Sequence, residues 1–103
     1  MIKIQINKTN NKYSSLIVSG HSNYDEHGKD IVCAGVSAIV VGGLNALGIE
    51  NKKSISYRVN DGYVNLDVLD IENDNIQLIM SVIVVQLRTI EESYKKYIKI
   101  FEE

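Results

Sequence analysis

The chain has one cysteine and no proline among its 103 residues. A single cysteine excludes an internal disulfide and fits a reducing compartment, where the thiol stays free. The paired C-x-x-C spacing of structural zinc is missing, so neither a metal site nor a cofactor is expected. Excess positive charge is missing too: 11 Lys+Arg stand against 13 Asp+Glu, a net charge of −2. General nucleic-acid binders are usually basic, so no direct nucleic-acid partner is expected, while a basic peptide remains admissible. No internal linker or low-complexity tract interrupts the chain, and its length fits one domain of the common size, roughly 100–150 residues. The opening Met1-Ile-Lys-Ile-Gln-Ile lacks the apolar core of a signal peptide, so a cytoplasmic location is expected.

Charge is absent from Ile31 to Ile49, a stretch long enough to raise a membrane span. Gly35, Ser37, Gly42, Gly43, Asn45 and Gly48 make it weakly hydrophobic, and no basic cluster flanks it. A helix buried by its own domain is expected instead, with no membrane partner. That helix is predicted from about Asp30 to Leu47, stopped at Gly48. Its interior glycines each cost on the order of 1 kcal/mol against alanine, which makes sense where a neighbouring element approaches closely.

What is present reads as four strands and two helices. Ile2, Ile4 and Ile6 alternate with polar residues, and Tyr13 to Ser19 alternates after a polar turn, giving a hairpin. Ile55, Tyr57 and Val59, then Val64, Leu66 and Val68, alternate on either side of Asp61-Gly62, a second hairpin signal. From Asn73 or Asp74, the residues Ile76, Ile79, Met80, Ile83, Val84, Leu87, Ile90 and Tyr94 form one helical stripe. Charges after Glu91 read as a solvated end. The order strand-strand-helix-strand-strand-helix predicts an α+β fold, an antiparallel sheet packed against two helices.

The chemistry gathers between Gly20 and Ser37. Asp30 reads as the helix N-cap. That places Cys33 in the first turn, where free amides and the helix dipole favour a thiolate. His21 ends a strand just upstream, and a thiolate beside a histidine is the minimum for nucleophilic acyl transfer. On residue type alone, the commoner roles are a small buried hydrophobe for Cys33 and a strand-end histidine satisfied by backbone for His21. His27 competes with His21 as the base. The helix-start amides are natural oxyanion donors, and Ala34 and Gly35 keep bulk low there. Ser37, one turn on, either bonds within the site or to its own helix. The loop from Ser22 to Lys29, which includes Gly28, is predicted to act as a flexible flap.

The Gly20-His21 pair, Gly28, and the run Asp30-Ile-Val-Cys-Ala-Gly-Val-Ser-Ala38, with Thr89-Ile-Glu-Glu-Ser-Tyr94 near the end, resemble the ribosomal-processing cysteine protease family, Prp. The resemblance spans nearly the whole chain. It implies a cysteine endopeptidase with Cys33 as nucleophile and His21 as general base and acid, with Asp30, Ala34 and Ser37 in support. It also implies a substrate: the precursor of the twenty-seventh protein of the large ribosomal subunit, whose N-terminal extension is cut after a hydrophobic, aromatic-rich segment. A homodimer is implied as well. Two other classes fit the bare residues, a non-enzymatic ribosome-associated binding protein and a redox-sensing thiol protein.

Overall fold

The computed structural model describes residues 1–26 and 28–103. It shows the α+β class expected. Two β-hairpins form the sheet's main body: β1 (Ile2–Thr9) with β2 (Lys12–Ser19), and β3 (Ile55–Asn60) with β4 (Tyr63–Val68). The first hairpin turns on Asn10 and Asn11, both at positive φ, as a two-residue turn between right-twisted strands requires. Helix α1 (Ile31–Asn51) and helix α2 (Asp74–Ser93) follow the two hairpins in turn.

A fifth strand, β5 (Ile98–Glu102), lies where a solvated end was expected. It pairs parallel to β1, Ile2 against Ile98 through Ile6 against Glu102, so the sheet is mixed rather than purely antiparallel. The order across it is β3-β4-β2-β1-β5. Ile98 faces the core and is buried, while Lys99 and Glu102 are exposed. The alternation is real, but it is short and crowded by charges.

The core lies between one sheet face and the helices. Ile2, Ile4, Ile6, Leu16 and Leu66 from the strands meet Val32, Val36, Leu47, Ile76, Met80 and Leu87 from the helices. Each such side chain contributes about 1.5–3 kcal/mol relative to exposure. The α1 glycines let α2 approach: a Cβ at Gly43 would fall 2.5 Å from Ile83 Cδ1, and one at Gly35 would fall 2.9 Å from Ile90 Cδ1. Gly48 does not end α1. The helix runs three residues further, and a 3₁₀ turn (Lys52–Ser54) follows, with the Asn51 side chain accepting from Lys53 N–H at 3.1 Å. Fully buried Leu47 anchors that last turn and outweighs the propensity cost of the glycine.

Candidate active site

Asp30 is the N-cap of α1, as read from the sequence. One carboxylate oxygen, Oδ1, accepts from the amides of Val32 and Cys33, each at 3.0 Å. The other, Oδ2, accepts from the Ser22 hydroxyl in a short contact. It also accepts from the amides of Tyr24 at 3.0 Å and Asp25 at 3.4 Å. The carboxylate therefore ties the helix start to the incoming loop. Burial works against its charged form. The Ser22 hydroxyl and the amides of Cys33, Asp25 and Tyr24 outweigh that and hold the carboxyl well below the usual range.

Cys33 is half-buried in the first turn of α1, and its sulfur faces Ser22. The Ser22 amide donates to Sγ at 3.4 Å, and the Ser22 hydroxyl oxygen lies at the same distance. The oxyanion donors expected at the helix start are already engaged. The amides of Val32 and Cys33 serve the Asp30 side chain, and the Ala34 amide bonds the Asp30 carbonyl at 3.0 Å. A short capping residue claims those donors first.

His21 stands at the strand end, exposed, with its ring against the β3–β4 turn. A Cβ built at Gly62 would lie 2.8 Å from His21 Nε2, and Gly62 sits at φ +68°. Gly20 holds the same corner: its φ is +89°, and a Cβ there would meet the Met1 carbonyl oxygen at 2.5 Å. Its amide donates to the Gly62 carbonyl at 2.9 Å. Only glycine fits a left-handed position with backbone that close, which is the physical reason for a Gly-His pair at this point.

A cavity of about 650 Å³ joins these groups. His21, Asp30, Cys33, Ala34, Ser37 and Gly28 all line it. Ser37 is exposed along its α1 wall, and Gly28 is at φ +90° in the loop. Ser22, expected in a flexible loop, is buried beneath Asp30 at 3% exposure. His27, the rival base, lies outside the described residues.

The sequence reading missed three contributions. The turn Asn60-Asp61-Gly62, a hairpin signal in the sequence, also lines the cavity. Ser22 carries no motif and gains its place through Asp30. Tyr24, inside the loop, makes edge contacts through its ring with Tyr94 at 5.6 Å and Tyr97 at 5.1 Å. Those contacts anchor the loop to the segment before β5, each with about 0.5–1.5 kcal/mol beyond area burial.

Residues 1–99 match the family model of the cysteine protease Prp. The ribosomal processing cysteine protease Prp of Staphylococcus aureus is 40% identical over 91 residues, 86% of each chain. Its counterpart in Bacillus subtilis is 36% identical over 109 residues, 97% of this chain and 96% of its own. A crystal structure of the S. aureus ribosomal processing protease with a covalently linked product peptide matches with a TM-score of 0.95. The identity there is 34%, over 100% of both chains. With a free thiol in a helix's first turn and a histidine on the wall of the same cavity, this chain belongs to the cysteine protease Prp family and is a cysteine peptidase.

Proposed function

We propose that this peptidase removes the N-terminal extension of the precursor of the twenty-seventh protein of the large ribosomal subunit by thiol acyl transfer. His21 takes the Cys33 proton, and the thiolate attacks the scissile carbonyl. His21 then protonates the leaving amine, and water releases the acyl group. The observation that carries the reading is the shared cavity, lined both by Cys33 from the first turn of α1 and by His21 from the end of β2. The apolar lining, which includes Val36, Val40, Val41, Val59 and Tyr63, suits a hydrophobic, aromatic-rich segment before the cut. The covalently linked product peptide in the S. aureus protease is consistent with chemistry of this kind.

The test is a synthetic peptide spanning the extension and the first mature residues. The wild-type chain cuts it at one bond. His21→Ala loses on the order of 10²–10⁴-fold in turnover, the usual contribution of a general base, while keeping its thermal transition. No cut by the wild-type chain contradicts the substrate assignment. A fully active His21→Ala contradicts the assignment of the base.

A homodimer is part of the same reading. Leu78, Val82 and Val85, four and three residues apart along α2, are large, apolar and exposed. Large apolar side chains exposed along one helix face mark an interaction surface. Sedimentation should give twice the 11.5 kDa mass of the chain, and a monomer at micromolar concentration contradicts it. The single unpaired thiol favours the cytoplasm, where such groups stay reduced.

A further inference from the structure

Ser22 is a buried polar side chain that the reaction above leaves unused. It is 3% exposed. Its hydroxyl oxygen meets Asp30 Oδ2 in the short contact, lies 3.4 Å from Cys33 Sγ, and accepts from the Tyr24 amide at 3.3 Å. One hydroxyl has one proton. An ionised carboxylate is an acceptor only, and it claims that proton more strongly than sulfur does. The oxygen therefore turns a lone pair toward the sulfur. The complementary partner for a lone pair is a neutral S–H.

We propose that Ser22 is a positioning residue whose hydroxyl, locked by Asp30, accepts the S–H of Cys33 and keeps the nucleophile as an oriented thiol until a peptide fills the cavity. This rests on Cys33 being the nucleophile. The Ser22 amide holds the same sulfur from the backbone side, so the atom stays placed when its proton leaves. Among the described residues, the charged or titratable groups that share the cavity with the thiol are Asp30, His21, Asp25, Asp61 and Tyr63. The remaining side of Cys33 packs on the hydrophobic core.

The experiment is the rate of Cys33 alkylation by iodoacetamide against pH, for the wild-type chain, Ser22→Ala and Ser22→Thr. Removing the acceptor moves the Ser22→Ala curve to lower pH. A one-unit displacement gives on the order of tenfold faster alkylation at mildly acidic pH. Ser22→Thr, which keeps the hydroxyl, follows the wild-type curve. A Ser22→Ala curve that is unmoved, or moved to higher pH, overturns the proposal. Raman spectroscopy of the wild-type chain reads the same bond without a substitution, because a single cysteine gives a single S–H band. A band at the lowered frequency of a hydrogen-bond donor supports the proposal, and a band at the free-thiol frequency overturns it. Neither readout uses a substrate, so failure of the cleavage assay leaves both standing.

Discussion

Cys33→Ala is expected to abolish peptide cleavage, a loss on the order of 10⁴-fold or more in kcat, with the fold retained. The reasoning is chemical. A methyl group cannot attack a carbonyl, and no second thiol exists in the chain to take over. The structural cost is small because Cys33 is only half-buried and its sulfur touches Ser22 at 3.4 Å, beyond a strong hydrogen bond. Losing one sulfur atom there should cost about 1 kcal/mol. Chromatography of the junction peptide after overnight incubation measures the first effect, and denaturant unfolding measures the second. Undiminished cutting by Cys33→Ala contradicts the assignment of the nucleophile.

The largest effect on stability is expected at Asp30. Its carboxylate satisfies the amides of Val32 and Cys33 at the helix start, and the Ser22 hydroxyl and the amides of Tyr24 and Asp25 in the loop. Loss of an N-cap alone costs about 1 kcal/mol. Each buried donor left without a partner adds roughly 1–3 kcal/mol, though water can reach the exposed loop amides. Asp30→Ala should therefore lose about 3 kcal/mol, a drop in Tm of roughly 15 °C for a domain of this size. Asp30→Asn separates the two parts. Its carbonyl can still cap α1, but its NH₂ group then faces the donors of Tyr24 and Asp25.

The same carboxylate sets a pH dependence. Its folded-state pKa lies below the ordinary value, so the unfolded chain binds this proton first as acid is added. Asp30's contribution is complete above about pH 5, begins to fall near the unfolded pKa of about 4, and is lost as pH drops through the folded value. The stability gap between the wild-type chain and Asp30→Ala should be flat from pH 5 to 8 and narrow below 4. A gap that widens in acid contradicts the assignment.

The parts of this molecule that were legible in the sequence are those fixed by near neighbours. Alternation at Ile2, Ile4 and Ile6 gives a strand, Asp61-Gly62 gives a turn, and Asp30 before an uncharged run gives a capped helix. Gly35 and Gly43 announced a close neighbour, and α2 is that neighbour. What stayed hidden depends on residues far apart in the chain. Strand β5 exists because Ile98 finds Ile2 across the whole length of the protein, and no local pattern encodes that pairing. Leu47 holds α1 past Gly48 through packing that propensity ignores.

The candidate site divides in the same way. Cys33, Asp30 and His21 stand out by residue type and by the Gly-His and Asp-Ile-Val-Cys runs. Their setting does not. Ser22 is one serine among nine, distinguished only by the carboxylate it meets. Gly62 reads as a turn residue, and its second role, leaving room for the His21 ring, appears only when two hairpin ends meet. The amides expected to serve an oxyanion are engaged in this structure for an identifiable reason. An aspartate that caps a helix well also consumes the amides an oxyanion would need, and the sequence signal for the two roles is the same residue.

One measurement bears most directly on the central claim, that the Cys33 sulfur attacks the peptide carbonyl in the cavity it shares with His21. A peptide carrying the hydrophobic segment and ending in a chloromethyl ketone at the cleavage position should alkylate the protein once per chain. Intact mass should rise by one peptide, digestion should place it on Cys33, and His21→Ala should slow the labelling. A peptide adduct mapped to any other residue, or none formed while the chain still cleaves its substrate, would contradict it.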